Sequence, residues 1–199
     1  MKVGLIGCGN IVETYFRSQT YFNNIHIVSC ADVKQEIAEQ CAQQYKIQSQ
    51  SVEEILTDDS IDIILNLTPP QVHYDIIKKT LNAGKHSYCE KPLSIKFEQG
   101  QELIKLAKEK NLYLGNAPDT FLGGGGQLTR KFIDSGDIGE VKLGSFIFAF
   151  PGVQPWHPNP EPWFQEGGGP IIDMGPYFYT MLVNLLGPAR SVSALATKI

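Results

Sequence analysis

The sequence predicts an α/β protein: a doubly wound parallel sheet with helices on both faces, followed by an incomplete α+β part with a mainly antiparallel open sheet. Three observations carry this reading. Short apolar runs alternate with segments of helical period over the first 116 residues. One of those runs, Ile61–Leu67, is apolar without alternation, as expected of a strand covered on both faces. A glycine turn, Gly7-Cys8-Gly9, follows directly on the first run. We place the first domain at 1–116 and the second, partial one at 117–199.

Lys2–Ile6 reads as the first strand, and Ile11, Tyr15 and Phe16 then share one helical face. His26–Ala31 returns as a second strand. Between Lys34 and Tyr45 the apolar residues Ile37, Ala38, Cys41, Ala42 and Tyr45 have the spacing of an amphipathic helix. Ser51 with Glu54 forms the pattern of a capping box for a short helix. After Ile61–Leu67 comes a helix over Val72–Ala83, with Gly84 placed to take the left-handed cap position. Lys85–Glu90 is a further strand, stopped by Pro92, which has no N–H to give a ladder. Ser94 is placed to cap a helix reaching about Lys110, and Leu112–Asn116 is the fifth strand.

Pro118 and the run Gly123–Gly126 then break the pattern. Leu128, Phe132 and Ile133 mark a helix, and Gly136-Asp137-Ile138-Gly139 turns into a strand over Glu140–Phe150 in which Phe146, Phe148 and Phe150 alternate. Pro151–Pro170 holds six prolines, two tryptophans and His157, and reads as a binding loop because it is too aromatic for a disordered linker. A helix over Ile171–Leu186 ends at Gly187-Pro188, and Arg190–Ile199 begins another strand.

Composition narrows the function classes. A formal charge of −4 without a Lys/Arg cluster gives nucleic acid no electrostatic footprint. No apolar run approaches the ~20 residues of a membrane span, and Val3–Ile6 is too short for a signal peptide, so the expectation is a cytoplasmic protein with no membrane partner. Cys8, Cys30, Cys41 and Cys89 are widely separated, which fits neither a zinc site nor a disulfide framework, so we expect buried thiols and no metal.

The chemistry-bearing residues fall at predicted strand ends. Gly7, Gly9, Asn10 and Ile11 sit between the first strand and helix, where backbone N–H groups approach a pyrophosphate at a helix N-terminus. The third glycine position of that motif holds Val12. Asp32, about 25 residues after Gly7, is near the ~20 expected of a carboxylate that bonds the adenosine ribose, which favours NAD over NADP. Asp32 has a second reading as a helix cap before Lys34. Thr68-Pro69-Pro70 and Glu90-Lys91-Pro92 follow two later strands at the edge where open α/β sheets bind ligands, and Pro92 enforces a cis or rigid turn around Lys91. His73 reads as a neutral first-turn histidine without proton chemistry. Asp173 and Tyr177, four residues apart, share a helical face that Asn184 continues.

Taken together, Gly-Cys-Gly-Asn, Thr68-Pro69-Pro70, Gly84-Lys85-His86 with Glu90-Lys91-Pro92, and Gly167-Gly168-Gly169 with Asp173 and Gly175 resemble the Gfo/Idh/MocA oxidoreductases. The resemblance runs through the whole chain. It implies an NAD cofactor, with NADP as the alternative, and hydride transfer to or from a sugar, cyclitol or related polyol. It implies Lys91 as the catalytic lysine near the nicotinamide and Asp173 as the acidic member of the substrate helix. Most members carry histidine four residues after that aspartate as the proton-transfer group, whereas this chain has Tyr177; His157 is the rival, leaving Lys91, Tyr177 and His157 as the candidate relays. The chain resembles a shortened member ending on its second sheet strand, with self-association through that sheet as the expected homo-oligomer. A non-catalytic dinucleotide-binding protein is the alternative function.

Overall fold

In a computed structural model, residues 1–155, 160–165 and 167–196 are described, and the chain divides into two compact units, 1–117 and 118–199. The first unit is a six-stranded sheet built from β1 (Lys2–Ile6), β2 (His26–Ala31), β3 (Gln48–Ser49), β4 (Ile63–Asn66), β5 (His86–Cys89) and β6 (Leu114–Asn116). Every pairing is parallel and the strand order is β3-β2-β1-β4-β5-β6. The order reverses between β1 and β4, which places the topological switch point, and therefore the ligand crevice, beyond their carboxyl ends.

Five helices cover the sheet: α1 (Val12–Gln19), α2 (Gln35–Tyr45), α3 (Val52–Thr57), α4 (His73–Asn82) and α5 (Phe97–Glu109). Val3, Leu5, Cys30 and Leu65 face α1 and α2, where they pack with Val12, Cys41 and Ala42. Ile6, Ala31 and Ile64 face the other way, against Ile55 and Leu56 of α3. Cys89 meets Ile77 and Leu81 of α4 and Leu103 and Ala107 of α5. Burial on both faces is why the Ile61–Leu67 run carries no polar alternation.

The predicted caps divide. Ser51 and Glu54 form the capping box, each side chain bonding the other's backbone N–H. Gly84, at φ +75°, ends α4 in a Schellman arrangement: its N–H donates to Leu81 C=O and the Lys85 N–H to Thr80 C=O. No atom lies within 4 Å of a Cβ built on Gly84, so Gly84→Ala meets only backbone strain. Thermal unfolding of that variant is expected to show a loss of about 1–2 kcal/mol. Ser94 does not cap α5. Its Oγ donates to Lys96 C=O, and Lys96 occupies the N-cap position without a side-chain bond.

The second unit contains α6 (Gly124–Asp134), a short α7 (Pro170–Asp173) and α8 (Gly175–Leu186). The single helix expected over Ile171–Leu186 is two, broken at Met174. Pro176 explains the break: it has no N–H for the Ile172 carbonyl, and its ring would clash with that carbonyl in a continuous helix. Arg130 of α6 donates to the carbonyls of Asn184 and Leu185, satisfying orphan acceptors at the end of α8, and pairs with Asp134 on its own helix.

The strands expected at 140–150 and 190–199 do not form among the described residues; 197–199 lie outside them. A strand exists only through its ladder, and these segments pair with no partner strand there. The alternation of Phe146 and Phe148 nevertheless survives, since both rings pack on Phe178 of α8.

Candidate functional site

Strand register brings the candidate residues of the first unit to one edge. Ile6 is level with Ala31 and with Asn66, and Asn66 with Cys89, so the four strands end together. Gly7, Asp32 and Glu90 are the next residues beyond that line, Thr68 and Lys91 follow one residue further, and Pro69 comes after Thr68.

Gly7 is built into this edge. Its N–H donates to Ala31 C=O at 2.8 Å, its φ is +98°, and a Cβ there would lie 2.7 Å from the backbone of Leu67 and Thr68. Gly9 is the opposite case, because a Cβ built on it meets nothing within 4 Å. That open space lies beside Asn10 and Ile11 at the start of α1, whose N-cap Ile11 offers no side-chain bond. Open space, a glycine turn and an uncapped helix N-terminus fit a pyrophosphate.

Asp32 holds the turn from the side. Oδ2 accepts from the Cys8 N–H at 2.9 Å and Oδ1 from the Lys34 N–H at 2.9 Å. The alternative reading of Asp32 as a helix cap is not met: Lys34 holds the N-cap position of α2 without a side-chain bond, and the Asp32–Lys34 bond is a local turn two residues long. Each carboxylate oxygen has a second acceptor direction remaining for a ribose hydroxyl.

Three residues not assigned roles from the sequence fix the two loops at the other end of the edge. Asn66, fully buried, accepts at Oδ1 from the Thr68 N–H (3.1 Å) and from Thr68 Oγ1 (2.6 Å). His73 is 1% exposed, with Nε2 2.6 Å from Thr68 C=O and Nδ1 2.6 Å from Pro92 C=O. Each ring nitrogen faces a carbonyl oxygen, so His73 bridges the Thr68 and Pro92 loops. Asn116 donates from Nδ2 to Cys89 C=O (2.9 Å) and Glu90 C=O (3.0 Å).

Glu90 is itself tied down: Tyr15 Oη of α1 donates to Oε1 at 2.7 Å and the Lys91 N–H to Oε2 at 3.1 Å. The Lys91-Pro92 peptide is cis. Lys91, half-buried, thus projects from a turn held by Tyr15, His73 and Asn116. Tyr15 appeared in the sequence only as part of an apolar face, and buried Asn and His gave no periodic signal.

In the second unit, Asp173 is the last residue of α7 and Tyr177 lies in the first turn of α8, so the four-residue facing argument does not apply across the break. Asp173 Oδ2 accepts from Trp163 Nε1 at 3.1 Å, a partner drawn from the aromatic loop. His157 lies outside the described residues.

The fold also gathers what the sequence spread apart. The sulfur atoms of Cys8, Cys30 and Cys41 all lie within 4.8 Å of one another beneath the glycine turn. No helix among the described residues is long and apolar enough to cross a membrane.

Two family models match: "Oxidoreductase family, NAD-binding Rossmann fold" over residues 1–117 and "GFO/IDH/MocA C-terminal domain" over 127–199. The chain is 33% identical over 190 residues to the trans-1,2-dihydrobenzene-1,2-diol dehydrogenase of Xenopus tropicalis, covering 92% of this chain and 57% of the relative. It is 27% identical over 197 residues to the inositol 2-dehydrogenase of Rhizobium meliloti, covering 99% of this chain and 58% of the relative. Among solved structures, a putative myo-inositol dehydrogenase from Sinorhizobium meliloti superposes with a TM-score of 0.80 at 26% identity, covering 95% of this chain and 56% of that one. The chain spans about half the length of the curated relatives it matches.

Proposed function

This chain belongs to the Gfo/Idh/MocA oxidoreductase family, and on that premise we propose that it binds NAD(H) in preference to NADP(H) and acts on a CH–OH carbon of a sugar, cyclitol or related polyol. The observation that carries the reading is the common edge of the first unit, where the Gly7–Gly9 turn, Asp32 and Lys91 follow strands that end level with one another.

The nicotinamide supplies the hydride chemistry when the dinucleotide is bound. The chain's own residues do the rest. The Gly7–Gly9 turn and the start of α1 receive the pyrophosphate. Asp32 receives the ribose hydroxyls and would repel a 2′-phosphate. Lys91 is an ammonium on a braced turn, suited to donate to the substrate oxygen and stabilise the charge that develops there. Asp173 and Tyr177 of the second unit are the substrate residues in this reading, with Tyr177 or His157 passing the proton. The names of the two relatives, an inositol dehydrogenase and a dihydrodiol dehydrogenase, support a vicinal-diol type of substrate.

A screen of cyclitols, sugars and diols with NAD and NADP, followed by absorbance of the reduced cofactor, tests the reading directly. Turnover with any of them supports it. Tight cofactor binding with no turnover across the screen would instead favour the non-catalytic dinucleotide-binding protein.

Cofactor choice has its own test. Asp32→Ala is expected to weaken NADH at least ~10-fold, the scale of one lost charged hydrogen bond, and to narrow the gap between NADH and NADPH. Titration by cofactor fluorescence measures both affinities. Tighter NADPH binding by the unmodified chain would sink the NAD assignment.

A further inference from the structure

The three gathered cysteines are outside anything the dinucleotide site requires. Cys30 is fully buried and Cys41 is 7% exposed, while Cys8 is half-buried in the glycine turn and gives the group its access to solvent. Around them lie Val3, Val12, Leu65 and Leu67, an apolar wall that offers no competing hard ligand. Two of the thiols have only weak present partners: Cys8 Sγ donates to Ala31 C=O at 3.6 Å and Cys30 Sγ to Ala38 C=O at 3.3 Å. These are contacts that a stronger sulfur bond displaces easily.

Geometry selects the ligand class. A metal–thiolate bond of about 2.3 Å puts the three sulfurs of a planar trigonal site roughly 4.0 Å apart, that is, √3 bond lengths. The observed sulfurs, all within 4.8 Å of one another, lie close to that spacing. A structural zinc site needs four ligands, and among the described residues this group has three. All three are soft sulfur donors, the set that selects Cu(I). We propose that Cys8, Cys30 and Cys41 form a trigonal thiolate site for one Cu(I) ion.

Binding exchanges three S–H protons, released to solvent, for three metal–sulfur bonds. The ion arrives already as Cu(I), and no electron is transferred. Three thiolates and one Cu(I) leave a net charge of −2 under the turn that Asp32 already makes anionic. Loading is therefore expected to weaken an anionic dinucleotide, and this consequence alone rests on the proposed function.

The test is an anaerobic titration of Cu(I) into the whole chain in competition with a chromophoric Cu(I) chelator. The expected result is one equivalent withheld from the chelator. Cys8→Ser and Cys41→Ala should each weaken it by more than the ~10–100-fold that losing an outer-shell partner costs. Cys89→Ala, which removes the buried cysteine of β5 outside the group, should leave it unchanged. Circular dichroism checks folding, and the partly exposed Cys8 position decides should Cys41→Ala fail to fold. X-ray absorption of the loaded chain should show three sulfur neighbours at one distance.

Complete release of Cu(I) to the chelator, equal weakening by Cys89→Ala, or a two-sulfur ion would each overturn the site. Failure of the functional reading is distinguishable from this. Cu(I) held by a chain whose metal-free form binds no NADH keeps the metal site and removes the dinucleotide, and NADH binding with no Cu(I) retained does the reverse.

Discussion

Gly7→Ala is expected to lose about 2–5 kcal/mol of stability and at least ~10-fold in NADH affinity. Two costs add. An alanine at φ +98° carries about 1–2 kcal/mol of backbone strain. Its Cβ also meets the carbonyl carbon of Leu67 and the nitrogen of Thr68 at 2.7 Å, backbone atoms of a central strand end that cannot rotate away, and overpacking of that kind costs ~1–3 kcal/mol. Relief requires the turn to move, and the Asp32–Cys8 bond moves with it. Gly9→Ala is the informative partner. With nothing within 4 Å of its Cβ, it should melt like the unmodified chain while losing NADH affinity, because the methyl enters the space proposed for the pyrophosphate. Thermal melts and fluorescence titrations of both variants separate fold from ligand. A Gly7→Ala chain with unaltered melting and affinity would contradict the account of the turn.

Lys91→Ala should lower turnover by at least ~10²-fold, the lower end of what a positioned acid–base group contributes, with NADH affinity within a few-fold of normal. The reason is placement. Lys91 follows β5, whereas the proposed anchors of the dinucleotide, the Gly7–Gly9 turn and Asp32, follow β1 and β2 on the other side of the switch point. Because Glu90, Pro92 and Cys89 are each held through other atoms, removing the lysine side chain leaves the turn braced. Tyr177→Phe should match that loss where the phenol relays the proton and be mild where His157 does. Near-normal turnover in Lys91→Ala, measured with a substrate from the diol screen, would remove the lysine mechanism.

What was legible in the sequence follows from which signals are local. β1 and β2 were readable to the residue because each is a short apolar run bounded by turn residues. The Ser51 box and the Gly84 cap were readable because their chemistry lies within a few residues. β3 was missed: Gln48–Ser49 is two residues, both polar, and it is a strand only because Ser29 and Cys30 lie beside it. Ser94 was misplaced by two residues, since a serine can bond the wrong side of a turn as readily as the right one. The Pro176 break was available in the sequence and was passed over because the apolar period continues through it. Segment 140–150 kept its period without its ladder, since pairing depends on a partner that periodicity cannot supply. The glycine turn, Asp32 and Lys91 were marked by motif and position, but Asn66, His73 and Asn116 act through contacts between separate loops and leave no pattern in sequence.

The Tyr15–Glu90 bond has an implication for protein engineering. Tyr15 lies on the helix that follows the glycine turn, and Glu90 precedes the lysine, so one 2.7 Å contact cross-braces the two halves of the sheet over the switch point. A graft that transplants β1, the glycine turn and α1 from a relative to change cofactor preference therefore carries one end of this brace into a foreign host. Unless the donor supplies a phenol at position 15, the chimera inherits the new nucleotide grip together with a slackened lysine turn. Retargeting the cofactor and preserving turnover are thus a single design problem at this edge, and residue 15 belongs in any library built for it.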